Sequence, residues 1–379
     1  MLDRVALPFI AMRFLSAKGL EAMGLGDRSR VPLSLDGLDD TWFEQKFDGT
    51  LASLQVTGGS TGTTQRRGFA LAWDGNNNLP RDIFVKMSAS LGTRITGGIS
   101  GAMENEAWFY NELRPRLTIE APAGYYAAFE RFSGRSIQVI EDVGVSKGAQ
   151  FLDALSPITK EMATGQMVLL ARLHGQGKVL AQNPGTPLTY QKFVTLGNRR
   201  AMIKRFHFRG LAKMADALPA RFAARQKASW QVVEQSTAMH LTLPHTVIHC
   251  DVHPGNWYQC ADGTMGLMDW QCVSRGHWSR DLAYCLAAGL SIENRRSWEG
   301  ELIELYLEEL AAAGGDVVSL DDANHLYRSQ LAGALAFWTP TYAPPPLFPA
   351  MQPENVAHEV VLRIATAMDD LDALDFGIG

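Results

Sequence analysis

The chain has 379 residues, 46% of them hydrophobic and 20% charged, and its formal net charge is −5 at pH 7. A chain of this length is too long for one small hydrophobic core, so we predict one large or two modest domains. The lack of a basic run or stripe disfavours nucleic acid as a partner. The first residues lack the basic and apolar regions of a signal peptide, and no stretch approaches the roughly 18 apolar residues of a membrane span. We therefore expect a cytoplasmic protein with no membrane span.

The cysteines form no C-x-x-C pair, although Cys250, Cys260 and Cys272 lie near one another in the sequence. A metal cluster is conceivable there. Reduced, partly buried thiols in a cytosolic protein are the simpler interpretation.

The N-terminal part of the chain predicts two helices. Apolar residues recur at helical spacing over 5–25, and a second short helix over 33–47 includes the start signal Asp39-Asp40-Thr41. A membrane-surface or dimer role is an alternative for the first helix, but packing against the rest of the chain is the simpler expectation.

Strands are predicted next, over 51–56, 67–73 and 83–87, with a segment rich in Gly, Ser and Thr between the first two. A glycine-rich loop between antiparallel strands lets backbone N–H groups approach phosphates closely. Five residues of the segment are candidates for such a contact: Gly58, Gly59, Ser60, Thr61 and Gly62. The segment lacks the G-x-x-x-x-G-K-[ST] order of a P-loop, and a plain hairpin loop is the alternative.

Lys86 lies within an apolar strand, where an unpaired ammonium would be costly. We therefore expect an anionic partner from the helix predicted over 103–113, with Glu106 as first candidate and Glu104 as competitor. A strand Lys paired with a helix Glu braces the ATP phosphates in kinases. The alternative is an edge-strand Lys and a Glu on a solvated helix face.

Two further strands are predicted over 125–131 and 137–141. The residues that follow would form the crossing between two lobes, where backbone groups from Glu141 to Val143 are candidates to bind adenine. Helix capping is the alternative role for the side chains of this segment, which includes Asp142.

Beyond residue 150 the pattern is helical. His174 is expected to be a core histidine with its hydrogen bonds satisfied. The segment 190–240 carries many basic residues, which suit either an anionic group such as a CoA phosphate or, more simply, a solvated helix face.

The segment 248–272 places polar residues at fixed spacing among apolar ones. It contains His249, Asp251 and Asn256 in the order H-x-D-x-x-x-x-N, and Asp269 follows a short buried strand. Phosphoryl transfer needs a carboxylate near the acceptor hydroxyl and oxygen ligands for Mg²⁺. Asp251 is the candidate base, and Asn256 and Asp269 are candidate metal ligands. The alternative is a turn with a capping Asp, followed by an Asp at a strand end.

Downstream, Asp281 opens a long helix and is predicted to cap it or to brace the catalytic-loop backbone. Further helices are predicted over 298–313, 320–338 and 354–374. The proline-rich segment 339–353 is predicted to be an ordered surface loop that borders the acceptor pocket.

From about residue 50, these motifs resemble those of the aminoglycoside phosphotransferase / choline kinase superfamily of small-molecule kinases. His249–Asn256 is similar to the family's catalytic loop H-G-D-x-H-x-x-N, and Leu267–Gln271 to its metal-binding I-D-[FW]. Other similar segments are Arg280–Ala283, Glu106–Tyr110, Glu141-Asp142 and Leu170–His174. The phrases D-W-Q and E-D look closest to the ecdysteroid-kinase-like branch and its bacterial relatives. Cys250 departs from the pattern, since the family has Gly there.

The resemblance implies an α+β, bilobal, protein-kinase-like fold. Residues 48–142 would form a small nucleotide-binding N-lobe with an antiparallel sheet and a helix. Residues 143–379 would form a larger, mostly helical C-lobe with the catalytic loop and the acceptor-binding helices. Residues 1–47 would be an N-terminal helical extension.

The resemblance also implies ATP and Mg²⁺ as cofactors and transfer of the γ-phosphate to a hydroxyl of a small molecule. Asp251 would receive the hydroxyl proton, and Asn256 and Asp269 would hold Mg²⁺. Lys86 and Glu106 would fix the phosphates, and residues 57–64 would cover them. His249 and Asp281 would support the catalytic loop, and His253 has no assigned role.

Three functions remain open. The first is a kinase for a largely apolar alcohol (steroid-like, lipid-like or hydroxyacyl), favoured by a set of aromatic residues: Trp257, Tyr258, Trp270, Trp278, Trp338, Tyr342 and Phe348. The second is an antibiotic kinase, which ranks lower because a polycationic aminoglycoside requires an acidic cleft and no acidic cluster lies near the motif. The third is a nucleotide-binding pseudokinase, against which the intact set of Asp251, Asn256 and Asp269 argues. The sequence does not predict an oligomeric state.

Overall fold

The computed structural model describes residues 2–24, 30–61, 64–75, 78–88, 91, 94, 97, 101–182, 188–345 and 350–376, with side chains for all of these except 2–11, 61 and 199–201. The chain divides into two compact units. The first unit comprises Met1–Arg116, Ala121–Gln150 and Asp269–Cys272, and the second comprises Leu117–Glu120, Phe151–Met268 and Val273–Gly379. Among the described residues, no helix combines the length and the apolar character needed to cross a membrane.

The first unit is built on one antiparallel sheet of the strands β1 (Leu51–Thr61), β2 (Gln65–Trp73), β3 (Asp82–Met87), β4 (Gly124–Phe129) and β5 (Ser136–Glu141). The strand order in this sheet is β1-β2-β3-β5-β4. Its helices are α1 (Leu2–Ala22), α2 (Asp40–Phe47), α3 (Ala102–Trp108, continued by a π turn over Phe109–Leu113) and the short α4 (Val143–Ser146). The predicted strands are confirmed, but the first is longer than predicted. Part of the expected glycine-rich loop pairs with β2, from Gly58 opposite Gly68 to Thr61 opposite Gln65.

A hydrophobic core links the N-terminal residues to this sheet. Val31, Trp42 and Phe43 lie in one cluster of buried side chains with Phe69 and Val85 of the strands. The predicted start signal forms the N-cap of α2, where the Asp39 side chain accepts a hydrogen bond from Trp42 N at 2.9 Å. Residues 31–43 therefore supply part of the core of the first unit.

The second unit is mainly helical. Its helices are α5 (Lys160–Leu180), α6 (Tyr190–Ala201), α7 (Ile203–Lys213), α8 (Ala220–Arg225), α9 (Ser229–Met239), α10 (Ser279–Gly289), α11 (Ile292–Ala312), α12 (Leu320–Tyr342) and α13 (Glu354–Asp370). Its short strands are β7 (Thr246–Ile248), β8 (Trp257–Gln259), β9 (Met265–Leu267) and β10 (Ser274–Gly276), and β6 (Gln150–Phe151) lies at the boundary of the two units. Gly177 of α5 faces β7, and a Cβ there would lie 2.9 Å from Val247 N, so only glycine allows this approach.

The proline-rich segment differs from the prediction at its start. Helix α12 continues to Tyr342 with Pro340 inside its last turns, so 339–342 is helix and not surface loop. Thr339 and Thr341, on either side of this proline, donate their hydroxyls to the carbonyls of Leu335 and Phe337. Phe348, one of the aromatic candidates, lies outside the described residues.

Candidate active site

The loop with Asp251 runs from the end of β7 to the start of β8. Asp281, in the first turn of α10, accepts hydrogen bonds from His249 N at 2.6 Å and Cys250 N at 2.9 Å. A third donor, His174 Nε2, lies 3.3 Å from the same carboxylate. Burial alone would raise the pKa of Asp281, but the hydrogen bond from His174 and nearby positive charge, including that of Arg280, outweigh it and the pKa is lowered overall. Asp281 therefore braces the loop backbone as an ionised group.

Cys250 takes a left-handed backbone conformation, with φ of 70°. Its side chain is buried, and burial raises the pKa of the thiol. The sequence departure at this position is therefore accommodated in a conformation that glycine adopts more easily.

His249 joins two segments of the second unit. Its Nδ1 accepts from Asp251 N at 3.2 Å, and its Nε2 lies 3.0 Å from the carbonyl of Met268. A carbonyl only accepts, so the ring carries its proton on Nε2. Met268 N in turn donates to Asn256 O at 2.9 Å, so the residue before Asp269 is tied to the loop twice.

The Asp251 carboxylate is held by two side chains and remains partly exposed, at 21%. Tyr284 donates its hydroxyl to Oδ1 at 2.9 Å. Asn256 Nδ2 donates to the Asp251 carbonyl at 2.7 Å and to Oδ2 at 3.3 Å. Because this orientation of the amide turns its nitrogen toward Asp251, the amide oxygen of Asn256 faces away from it.

His253 lies beside this carboxylate without a hydrogen bond to it. Its Nδ1 accepts from Gly255 N at 3.1 Å, so the proton sits on Nε2, which lies 3.9 Å from Asp251 Oδ1. The imidazole packs edge-on against Trp338, with ring centroids 5.3 Å apart.

Lys86, Glu106 and Asp269 form a cluster within the first unit. The Lys86 ammonium lies 3.0 Å from Glu106 Oε1 and 2.9 Å from Asp269 Oδ1. Burial acts to lower the pKa of Lys86, but the two carboxylates more than compensate and raise it. Burial raises the pKa of Glu106 and, with the nearby charge of Asp269, outweighs the opposing charge of Lys86. The cluster therefore places one ammonium group between two carboxyl groups.

Asp269 is fixed in this unit by the residue that follows it. Trp270 is fully buried and stacks on Phe109 of the π turn, with ring centroids 3.8 Å apart and planes 6° apart. Asp269 itself has φ of 63°, which Asp tolerates better than most residues. The competing candidate Glu104 pairs instead with Arg131 in an exposed contact.

The remaining nucleotide-binding candidates lie in strands and at a strand end. Gly58, Gly59 and Ser60 are in the paired part of β1, as is the backbone of Thr61, whereas Gly62 lies outside the described residues. The Glu141 side chain accepts from Ala123 N at 3.1 Å and Ser146 Oγ at 2.8 Å.

The segment after β5 also has backbone and capping bonds of its own. The carbonyl of Val143 accepts from Lys147 N and Ala149 N, both at 3.1 Å. Asp142 caps α4 through Gly144 N and Val145 N, as the capping alternative predicted.

The structure also places the aromatic, cysteine and basic residues that the sequence singled out. The described aromatic residues after 256 that suggested an apolar acceptor are buried: Trp257, Tyr258, Trp270, Trp278, Trp338 and Tyr342. All four cysteines are free, and within the described part of the chain no group of three His, Cys, Asp or Glu side chains is arranged to hold a metal.

The basic segment 190–240 includes exposed residues with acidic partners, such as Lys213, whose ammonium lies 2.7 Å from Glu354.

Sequence reasoning missed Tyr284 and Tyr306, and it assigned Trp338 to an apolar acceptor and not to the support of the loop. Tyr284 lies three residues after Asp281, so the two share one face of α10. That spacing was the available signal. Trp338 and Tyr306 are brought in by helices distant in the chain, where Tyr306 Oη lies 2.7 Å from His174 Nδ1.

Comparison with known proteins assigns the fold. A microcompartment-associated aminopropanol kinase superposes with a TM-score of 0.51 at 12% identity, covering 88% of this chain and 97% of that one. Choline kinase LicA from Streptococcus pneumoniae gives 0.46 at 14% identity, covering 84% and 94%. Macrolide 2′-phosphotransferase MphH from Brachybacterium faecium also gives 0.46 at 14% identity, covering 88% and 98%. The predicted α+β, protein-kinase-like fold is confirmed.

A comparison with curated proteins gives no match. The model of the phosphotransferase enzyme family matches residues 100–316, more than half of the chain. The match includes Glu106, Asp251, Asn256, Asp269 and Asp281. The chain therefore belongs to the phosphotransferase enzyme family, as an enzyme that transfers a phosphoryl group to a hydroxyl group.

Proposed function

We propose that the protein is an ATP- and Mg²⁺-dependent kinase that transfers the γ-phosphate to a hydroxyl of a small, largely apolar metabolite. The observation that carries the proposal is the cluster of Lys86, Glu106 and Asp269. A buried lysine held by a helix glutamate is the group that kinases use to position ATP phosphates. The second partner of Lys86 is Asp269, which the sequence predicts as a metal ligand.

The proposed roles follow the chemistry of each side chain. Asp251 orients the acceptor hydroxyl and receives its proton, and Lys86 and Glu106 position the phosphates. The strand segment 58–61, together with Gly62, covers the phosphates, and backbone groups between Glu141 and Val143 bind adenine. His249 and Asp281 hold the loop that carries Asp251.

The donor set suits Mg²⁺, which would be held by Asn256 and Asp269 and, when bound, would neutralise charge on the phosphates. Both residues offer hard oxygen ligands. The amide nitrogen of Asn256 is engaged by Asp251, which leaves the amide oxygen for a cation.

A pair of half-buried rings supports an apolar acceptor. Phe193 and Phe337 lie with ring centroids 6.1 Å apart, and Phe337 lies 6.1 Å from the ring of Tyr284. Since Tyr284 hydrogen-bonds Asp251, these partly exposed rings offer apolar surface close to the proposed base. The D-W-Q and E-D phrases further favour the ecdysteroid-kinase-like branch of the superfamily.

The test is mass spectrometry of the protein with Mg-ATP and a pool of sterols, hydroxyacyl-CoAs, amino alcohols, macrolides and aminoglycosides. We expect a product heavier than one apolar alcohol by about 80 Da, the mass of HPO₃. Asp251→Asn should abolish its formation and leave ATP binding intact. Asp262→Asn, the same change in a surface turn, should form product at the wild-type rate.

Three outcomes would contradict the proposal. Failure to bind ATP would exclude the kinase reaction. Wild-type turnover by Asp251→Asn would exclude Asp251 as the base. A phosphorylated aminoglycoside or macrolide as the only product would assign the protein to antibiotic modification.

A further inference from the structure

We propose that Tyr284 is a positioning residue that fixes the orientation of the Asp251 carboxylate, and that Trp338 acts through it. The inference rests on the proposed role of Asp251 and adds two residues to it. All three lie in the second unit, and their contacts form a directed chain from indole to phenol to carboxylate.

The direction of the chain follows from the chemistry of its groups. Trp338 Nε1 lies 2.6 Å from the Tyr284 hydroxyl, and an indole N–H can only donate. The hydroxyl oxygen therefore accepts from Trp338, and its own proton is left for Asp251 Oδ1 at 2.9 Å. An ionised carboxylate can only accept, so both hydrogen bonds point the same way.

The donor end of this chain is immobilised by packing. Tyr284 and Trp338 are almost fully buried, at 1% and 3% exposure. The guanidinium of Arg280 lies 4.6 Å from the centre of the Tyr284 ring. Tyr284 is anchored on α10, on the helix face whose Asp281 binds the loop backbone. Helix α10 thus holds the backbone with one residue and the carboxylate with another.

The acceptor end needs such support. The Asp251 side chain is partly exposed, and its other side-chain hydrogen bond, from Asn256, is longer at 3.3 Å. General-base catalysis requires the carboxylate within hydrogen-bond reach of the acceptor hydroxyl, so a rotated carboxylate loses rate. Burial and the charge of Asp251 both raise the pKa of Tyr284, which keeps the phenol protonated as a donor.

The first test is structural and does not depend on activity. Crystal structures of the full-length wild type and of Tyr284→Phe should show the Asp251 carboxylate rotated in the variant. The matched control is Tyr327→Phe, since Tyr327 is also buried and donates its hydroxyl to a carboxylate, Glu299 Oε2 at 3.0 Å. An unchanged carboxylate orientation in Tyr284→Phe would overturn the proposal.

The second test measures phosphate release from Mg-ATP with water as the acceptor. Tyr284→Phe should lower kcat about 10- to 100-fold, with the KM for ATP within about twofold of wild type and thermal stability close to that of Tyr327→Phe. Tyr327→Phe should keep the wild-type kcat. A rise in KM with wild-type kcat in Tyr284→Phe would mean a merely structural role.

A double variant tests whether Trp338 acts through Tyr284. Trp338→Phe should lower kcat in the wild type but not further in Tyr284→Phe, because the phenol that it orients is gone. Additive losses of kcat in the double variant would show that Trp338 does not act through Tyr284. In Asp251→Asn, Tyr284→Phe should likewise have no further effect on kcat. If Asp251→Asn itself keeps the wild-type rate, the assignment of the base fails, and the carboxylate orientation still decides the role of Tyr284.

Discussion

The loop that carries Asp251 and the cluster around Lys86 differ in how completely their buried carboxyl groups are paired. Around the loop, the buried Asp281 carboxylate has three donors, and both ring nitrogens of His249 have partners. In the cluster, Glu106 Oε2 has no hydrogen-bond partner among the described residues. The same is true of both polar atoms of the Gln138 amide, which lies directly opposite Lys86 in the sheet.

This difference indicates two ways of preparing a site. The loop is held by hydrogen bonds from other parts of the chain. The cluster retains hydrogen-bonding groups without partners among the described residues, as expected where a ligand or water completes the pairing. Substitutions at three positions would break or sharpen this comparison.

The largest effect is expected from Asp281→Ala. Removing this carboxylate leaves the N–H groups of His249 and Cys250 buried without acceptors, so the free energy of unfolding should fall by about 3–5 kcal/mol. Urea unfolding measures this loss. Asp316→Ala breaks a partly exposed ion pair with Lys178 and should cost no more than about 1 kcal/mol. Equal losses in the two variants would show that the loop does not depend on Asp281.

The pH dependence of that loss follows from the lowered pKa of Asp281. The folded state holds its carboxylate ionised below the ordinary Asp pKa of about 3.9, so the stabilisation is present above that pH. It is lost as pH falls through the lower pKa of the folded state. The stability difference between wild type and Asp281→Ala should therefore be constant above about pH 5 and shrink in stronger acid.

The two regions also differ in how far the sequence predicts them. A lysine in an apolar strand requires an anion, so the sequence predicts a partner for Lys86 with Glu106 as first candidate, but it does not predict the contact of Lys86 with Asp269. The H-x-D-x-x-x-x-N spacing identifies the loop. Trp338 contacts Tyr284 across 54 positions in the chain, and no local pattern specifies which residues of two distant helices meet.

Local composition also misled at the glycine-rich segment. Gly, Ser and Thr predict a loop over 57–64, but β1 continues to Thr61 because β2 supplies pairing partners as far as Gln65. Tertiary pairing outweighs the low strand propensity of glycine there.

An intermediate effect of opposite sign is expected from Gln138→Met. A buried amide without partners costs free energy, and methionine fills a similar volume without polar atoms. The free energy of unfolding should rise by about 1–2 kcal/mol in thermal or urea unfolding. Gln330→Met is the matched control, because the Gln330 amide is also buried but bonds His240, Ser236 and Ser329. This control should lose about 1–3 kcal/mol, and a loss of stability in both variants would mean that the Gln138 amide is paired in solution.

The smallest effect concerns the left-handed residue in each region, Cys250 of the loop and Asp269 of the cluster. Asp is among the residues that adopt this conformation at moderate cost, whereas for other side chains the cost is about 1–2 kcal/mol. Two truncations of Cys250 separate this strain from lost packing, since both remove the buried sulfur and only one removes Cβ. Cys250→Gly should therefore be about 1 kcal/mol more stable than Cys250→Ala in urea unfolding. If the alanine variant is as stable as the glycine variant, the hydrogen bonds to Asp281 impose no strain at Cys250, and the sequence departure there has no energetic cost.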